Sequence, residues 1–500
     1  MGLAYVMHPI YMLPFMFIIC NLAFVIHYCM QGVLAVNNGS NDRAERFFRS
    51  LAGKTAAFIG IGVSHTETMK MFLSRGVRVL ACDRRERAQF GAVANELEQL
   101  GAVLHLGDAY LENWDADVVF RAPGVYFHSP QIARLRARGL VVTSETEMFL
   151  DLCPCRVFAT TGSEGKTTTS TVIAEILRAQ GKTVHLGGNI GRALLPIVFD
   201  IQPEDCAVVE LSSFQLLSMR QAPDVALMTN ITPDHLDVHA DMAEYVGAKQ
   251  NIYRHQGAFS RTVLNADNEL TASFGGEVRG ELLTFSLQRP VAHGAYYQDG
   301  VLYAVSHGAA RPVLNAKDIK IPGMHNVANY LAAICATADY AGDEAVHRTA
   351  QNFGGVEHRL EFVRELDGVR WYNDSIATAP VGVIAGLNAF GDKKLVVIGG
   401  GQGKNIPFDP LAPEFIAHAK LLILTGPTAA DIAQVVRDHP QYHGLPEIIM
   451  AQHIPHAVAI ARERAVAGDI VSLSPAAASF DAYPNFEARG RHFKELVHAL

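Results

Sequence analysis

The chain has 500 residues, 49% of them hydrophobic and 18% charged, enough length for roughly three domains with buried cores. Its 42 Lys and Arg against 50 Asp and Glu leave a formal charge of −8, which excludes an overall positive field that would recruit nucleic acid. The 7 cysteines are scattered, and Cys153 and Cys155 are too closely spaced for a redox or zinc pair, so a reduced, cytoplasmic protein is expected.

Residues 1–50 stand apart from the rest. The stretch 10–30 carries no charge and is long enough to span a bilayer, although Pro14, Asn21 and His27 weaken it as a span. Neither a basic n-region nor a small-residue cleavage site marks a secretory signal. Two readings stay open: a single membrane anchor, or upstream sequence translated from a wrongly chosen start. Arg43, Arg46 and Arg49 follow the run, so an anchor would leave the remainder on the cytoplasmic side. The folded part is expected to begin near residue 42.

From Thr55 an apolar strand enters the turn Gly60-Ile61-Gly62, a helix runs through Met69, and a second strand covers 77–83 and ends in Asp83. Strand, Gly-x-Gly turn, helix, strand and terminal acid describe a Rossmann-like unit. His65 and its neighbours occupy the region of the third glycine, so the unit should hold a nucleotide-like group other than a plain dinucleotide. Further strands are predicted at 118–122 and 140–143.

The run from Val157 to Thr169 comes next. A strand over 156–159 stops at a glycine-containing turn, and Lys166 opens an amphipathic helix over 167–180. Such a turn cradles nucleotide phosphates: backbone N–H groups and the helix dipole face the anion, the lysine reaches the outer phosphates, and a hydroxyl reaches Mg²⁺. The strict form of the loop has a glycine where this chain has Thr160, which points to a particular subfamily of such loops, with an ordinary strand–turn–helix as the competing reading. Strands near Val184, Ala207 and Val225 follow. Glu210, ending the apolar run 206–209, is either the Mg²⁺ partner of the loop hydroxyl or a solvated strand end. His235, in the segment from Asn230 to His239, reads by itself as the cap of a helix after Thr232, because Mg²⁺ prefers oxygen ligands. Lys249 sits on a helix beside the small residues Gly247 and Ala248, where a solvated surface lysine is the plain alternative. Asn326 and Asn329 share a face of a helix beginning at Asn326, placed either to read an adenine or to cap that helix. A third α/β unit begins near Gly354, with strands at 369–372, 394–399, 421–425 and 470–473. Strands alternating with helices predict parallel sheets with sites at their carboxyl ends.

Nine segments in chain order carry a family resemblance. They are Thr161-Gly-Ser-Glu-Gly-Lys-Thr-Thr168, Gly187-Gly-Asn-Ile-Gly191, Glu210-Leu-Ser-Ser-Phe-Gln215, Asn230-Ile-Thr-Pro-Asp-His235, Gly323-x-His-Asn-x-x-Asn329, Glu357-His-Arg-Leu-Glu361, Asn373-Asp-Ser375, Ser474-Pro-Ala-Ala-Ala-Ser479 and Asn485-Phe-Glu-x-Arg-Gly490. Over residues 50–500 the chain resembles the Mur ligase family, the ATP-dependent amide-forming enzymes of peptidoglycan precursor synthesis, and most of all the member that adds D-glutamate.

The resemblance implies an α/β protein of three domains after the extension 1–50. These are a Rossmann-like domain over 51–150 for the UDP-linked substrate, a P-loop ATPase over 151–353, and a Rossmann-like amino-acid domain over 354–500. It implies ligation of D-glutamate to UDP-N-acetylmuramoyl-L-alanine through an acyl phosphate, with ADP released; a related ligase adding a different amino acid is the alternative. Lys166, Lys249 and His235 would be catalytic. Gly162, Ser163, Glu164, Gly165, Lys166, Thr167 and Thr168 would cradle ATP, with Asn326, Asn329, Arg359 and Asp374 also touching it. Two Mg²⁺ are implied, one on Thr167 and Glu210, the other on His235 and a carbamylated Lys249. Gly62, Val63, Ser64, Asp83, Arg84, Asn189, Ser212 and Gln215 would meet the UDP-substrate. Thr378, Lys404, Ser479 and Phe486 would grip D-glutamate. One departure is plain: Ile376 stands where the family commonly has lysine. The N-terminal Rossmann-like unit argues against a folate-polyglutamate ligase, and the retained grip residues argue against a membrane regulator without ligase chemistry. A monomer with no nucleic-acid partner is expected.

Overall fold

Apolar strand runs alternating with one-sided helices give three sheets, each with its own core. The computed structural model describes residues 41–235, 238–390, 395–404 and 406–500. The stretch 10–30 lies outside the described residues, and among those described no helix is long and apolar enough to cross a membrane.

The first sheet is parallel throughout, in the order Val103–Leu106, Arg78–Asp83, Thr55–Ile59, Val118–Arg121, Val141–Thr143. Strand order reverses beside Thr55–Ile59, so the Gly60–Gly62 turn at its carboxyl end sits at the switch point of the sheet. The helix expected through Met69 extends over Val63–Ser74.

The central sheet has nine strands. Its parallel part runs Val184–Gly188, Cys206–Glu210, Arg156–Thr161, Val225–Met228, Arg261–Asn265, Glu281–Ser286, Gly294–Gln298. Sequence reasoning missed Arg261–Asn265, Glu281–Ser286 and Gly294–Gln298, and also two antiparallel strands, Val301–Ser306 and Ala309–Asn315, which complete the sheet through tight turns at Asp299-Gly300 and His307-Gly308. All four turn residues have positive φ, as a two-residue hairpin turn of this hand requires. Helix Lys166–Ala179 covers one face with buried Val172, Ile173, Ile176 and Leu177, spaced along a single stripe. Beside it, helix Met324–Thr337 is buried around nearly its whole circumference.

The third sheet runs Glu361–Leu366, Val369–Asn373, Ile470–Leu473, Leu395–Gly400, Ala419–Thr425, Glu447–Met450, parallel except for its first edge strand. The two edge strands, Glu361–Leu366 and Glu447–Met450, are additions to the four read from sequence.

Residues set apart as part of the extension 1–50 contribute to the body of the fold. Asn41 caps helix Asp42–Ser50 by accepting the Ala44 N–H, and its amide donates to Leu152 O and Val198 O. Phe48 packs at 5.0 Å from Phe72 and 5.5 Å from Phe199, so the helix pins the first sheet to the second. Phe48→Ala should therefore cost about 3–5 kcal/mol of stability in urea unfolding monitored by tryptophan fluorescence; an unchanged midpoint would show that the helix does not pack there.

Candidate phosphate-binding and substrate site

Strand Arg156–Thr161 is extended through Thr160, which pairs with Glu210 in the neighbouring strand, so no glycine is needed at that position. The sharp turning is done by Gly162 and Gly165. A Cβ on Gly162 would lie 1.9 Å from Thr229 Oγ1, and Gly165, at φ +76°, caps helix Lys166–Ala179 against Asn329. The loop is braced from a segment that sequence reasoning did not assign to it. Asn230 accepts the Ser163 N–H through its carbonyl and the Glu164 N–H through its side chain, at 3.0 and 2.9 Å. Thr229 Oγ1 donates to Glu164 O at 2.5 Å, and the Ser163 hydroxyl lies 2.8 Å from that of Tyr245. The N–H groups in the first turn of helix Lys166–Ala179 have no intrahelical partner and stand at the end of this braced loop, as anion binding requires.

Three charged side chains meet under this loop. Lys166 Nζ donates back to Gly162 O and Ser163 O, at 3.0 and 2.8 Å, and burial holds its pKa below the usual lysine range. Lys249, on helix Met242–Arg254, is buried rather than a surface lysine. Its Nζ donates to the same Gly162 O at 2.7 Å and lies 4.7 Å from the centre of the Tyr245 ring. Burial first, and then the Lys166 charge, bring its pKa down to about 7. Glu210 is buried, with Oε1 accepting from Asn189 at 2.7 Å and Oε2 buried with no hydrogen-bond partner. A bare buried carboxylate oxygen is costly unless a cation meets it. The Glu210 carboxylate is an oxygen donor of the kind Mg²⁺ takes, and among the described residues there is no cluster of three His, Cys, Asp or Glu. Such an ion would complete its shell with phosphate and water oxygens.

His235 differs from its expected place. It is exposed, with φ +54°, its Nε2 3.4 Å from Asp234 and its ring 5.1 Å from Phe214. It caps no helix, because the next helix starts at Met242 with Asp241 as its cap. The buried histidine is His239. Its Nε2 lies 2.9 Å from Ser213 Oγ and its Nδ1 3.0 Å from Glu244 Oε2, while the Tyr126 hydroxyl donates to Glu244 Oε1 at 2.6 Å. This chain of contacts joins the first domain to the helix that carries Lys249.

Asn326 and Asn329 lie inside helix Met324–Thr337, which starts two residues earlier than expected, and both are buried. Asn329 accepts from Thr169 at 3.0 Å and donates to Asn326, so the pair braces the phosphate helix. Arg359 is exposed, and its charge reaches Lys166. Asp374 is buried, accepts the Leu360 N–H at 3.1 Å, and is raised to about 7 by burial. Ser212 and Gln215 form a reciprocal cap, and Gln215 also donates to Thr146 of the first domain at 3.0 Å.

In the first domain Gly62, Val63 and Ser64 open helix Val63–Ser74, with Gly62 and Val63 exposed. Asp83 is less free than expected. Its carboxylate accepts the Ile61 N–H at 2.7 Å and pairs with Arg85, while Arg84 is exposed. Asp83 therefore shapes the glycine turn. His65, in the region of the missing glycine, is buried with Nδ1 2.8 Å from Gly60 O, and burial lowers it to about 4, so it stays neutral. In the third domain Lys404 donates to Thr378 at 2.7 Å, Ser479 is buried, and the Phe486 carbonyl accepts from Ser375 at 2.8 Å. These residues follow the carboxyl ends of the strands ending at Asn373, Gly400 and Leu473.

Comparison with known proteins agrees with this geometry. Residues 160–337 match the Mur ligase middle domain, and residues 358–477 match the Mur ligase, glutamate ligase domain. UDP-N-acetylmuramoylalanine--D-glutamate ligase of Acetivibrio thermocellus is 42% identical over 464 residues, covering 92% of this chain and 99% of the relative. The enzyme of the same name from Clostridium beijerinckii is 44% identical over 456 residues, covering 91% and 98%. Among solved structures, UDP-N-acetylmuramate-alanine ligase MurC of Thermotoga maritima aligns with TM-score 0.55 at 20% identity over 89% of this chain and 99% of that one. MurF of Acinetobacter baumannii aligns with TM-score 0.55 at 17% identity over 88% and 93%. Those two likenesses are of fold. With a three-domain α/β fold, a braced phosphate loop and relatives alike over nearly their full length, the chain belongs to the Mur ligase family.

Proposed function

We propose that this protein joins D-glutamate to UDP-N-acetylmuramoyl-L-alanine, with ATP converted to ADP and phosphate. The observation that carries this reading is identity of 42% and 44%, over nearly the full length, to relatives named for that reaction. Residues 51–150 would bind the UDP-substrate, 151–353 ATP and 354–500 the amino acid. The protein would act in the cytoplasm as a monomer.

A carboxylate is a poor electrophile until one oxygen becomes a leaving group. The alanyl carboxylate oxygen attacks the γ-phosphorus, the bond to ADP breaks, and an acyl phosphate results. The neutral amine of D-glutamate then attacks the acyl carbon, phosphate departs with the C–O bonding pair, and the nitrogen gives up a proton. Both steps call mainly for positioning and charge neutralisation. Lys166 and the loop from Gly162 to Thr168 would hold the phosphates, through the amides that Asn230 does not occupy, with Asn326, Asn329, Arg359 and Asp374 framing the nucleotide. Gly62, Val63, Ser64, Asp83, Arg84, Asn189, Ser212 and Gln215 would line the path of the UDP-substrate. Thr378, Lys404, Ser479 and Phe486 would hold D-glutamate.

Thr167 and Glu210 would hold one Mg²⁺, and His235 with Lys249 a second; when bound, such ions neutralise charge on the phosphates. A protonated lysine repels a cation and a neutral amine offers Mg²⁺ a nitrogen where it prefers oxygen, so the second set fits only after modification. The Lys249 nitrogen attacks CO₂, an N–C bond forms and a proton leaves, which gives a carbamate with two anionic oxygens. A pKa of about 7 leaves the amine neutral for that attack above pH 7 and protonated below it.

Purified protein should form the UDP-linked product only with ATP, Mg²⁺, UDP-N-acetylmuramoyl-L-alanine and D-glutamate, as phosphate release across an amino-acid panel will show; equal turnover with L-lysine or L-alanine contradicts the assignment. Protein equilibrated with ¹³C-bicarbonate should show a carbamate carbon signal at pH 8 that fades toward pH 6 and is missing from Lys249→Ala. Acetate should partly restore turnover to that variant, whereas Lys249→Arg should stay inactive because a guanidinium cannot take up CO₂. Wild-type turnover in Lys249→Arg rules the modification out.

A further inference from the structure

Arg489 is a buried guanidinium in helix Phe486–Ala499. Its Nε donates to Ser375 Oγ at 3.0 Å, Nη2 to Ser375 O at 3.0 Å and Ala477 O at 3.2 Å, and Nη1 to Ala477 O and Ala478 O at 3.2 Å each. The fork thus clamps the loop after strand Val369–Asn373 to the loop after strand Ile470–Leu473. The third loop is tied in through Ala478, which exchanges two backbone hydrogen bonds of 2.9 Å with Gln402. Ser375 Oγ in turn donates to Phe486 O at 2.8 Å. Each anchored residue lies within three positions of a grip residue: Ser375 before Thr378, Gln402 before Lys404, Ala478 before Ser479.

The charge is as informative as the geometry. Its hydrogen-bond partners are one hydroxyl and three carbonyls, and Asp481 acts on it only at longer range. A buried cation without a contacting anion is costly, and an anionic ligand nearby offsets that cost. Ile376, one residue from Ser375, supplies no charge of its own.

We infer that Arg489 is the positioning residue for the amino-acid substrate: it holds the loops of Thr378, Lys404 and Ser479 in register and sets a positive charge behind them where Ile376 has none. This rests on reading that pocket as the amino-acid site. Lysine keeps the charge but lacks the planar five-donor fork, so it cannot clamp the Ser375 loop and the Ala477-Ala478 loop together. Arg489→Lys should raise the KM for the amino acid about tenfold or more, with the KM values for ATP and the UDP-substrate within about twofold. Ser375→Ala removes one anchor without touching the charge and should move the same KM by a smaller factor, which keeps the test decisive if Arg489→Lys does not fold. Equal changes in all three KM values, or an unchanged amino-acid KM in the folded variants, overturn the inference. The wild-type amino-acid panel is run first. A substrate other than D-glutamate would refute the D-glutamate reading, while the KM split for whichever amino acid is used would still decide the role of Arg489.

Discussion

The carbonyl of Gly162 accepts from both Lys166 and Lys249, so the glycine loop and helix Met242–Arg254 meet at one shared oxygen. Burial depresses both ammonium groups, and the Lys166 charge depresses Lys249 further. Glu210 and Asp234 pull in the opposite direction, and the buried Glu210 Oε2 has no hydrogen-bond partner. The loop itself cannot relax, because Thr229 leaves no room for a side chain at position 162 and Asn230 holds the next two amides. The result is a rigid cradle with its charges preset before any nucleotide arrives. Preorganised charge of this kind is the largest usual source of transition-state stabilisation.

The first domain is fastened to this cradle by polar contacts as well as by Phe48. Arg121, at the end of strand Val118–Arg121, donates to Phe214 O and Ser218 Oγ at 2.9 Å each, and Glu145 accepts the N–H groups of Leu194 and Leu195. Tyr126, Glu244, His239 and Ser213 form the third connection. Since Glu244 and Lys249 share one helix, the position of the first domain bears on the position of the buried lysine. The third domain bears on the cradle through the Arg359 charge, which acts on Lys166. The first two domains are thus fastened to each other by direct hydrogen bonds.

What was legible in the sequence was local. The phosphate loop, Glu210 at a strand end and the Rossmann-like turn are each written within a dozen residues, and the structure has them in place. The hairpin at Asp299-Gly300 is also written locally, as an Asp-Gly turn between short half-buried strands, but it adds antiparallel strands to a sheet whose β/α alternation predicts parallel ones. Other features depend on distant chain. Asn230 braces Glu164 from 66 residues away, and Arg489 reaches Ser375 across 114. Lys249 is flanked by small residues that say nothing of burial; only the loop above it closes the site. His235 and His239 are four residues apart and both lie 5.1 Å from the Phe214 ring; His239 is the buried one, with Glu244 and Ser213 on its two ring nitrogens. Asp83 looked open to a ligand because Arg85, which fills it, is an exposed-type residue in sequence.

The central claim is that the unpartnered Glu210 oxygen is there for a cation that accompanies the nucleotide. Titration calorimetry of a non-hydrolysable ATP analogue, with and without Mg²⁺, tests it on wild type and Glu210→Gln. Wild type should bind at least about tenfold more tightly with Mg²⁺ than in EDTA, and Glu210→Gln should lose most of that difference while still binding the metal-free nucleotide. If Glu210→Gln keeps the full Mg²⁺ dependence, the cation lies elsewhere and this account of the cradle is wrong.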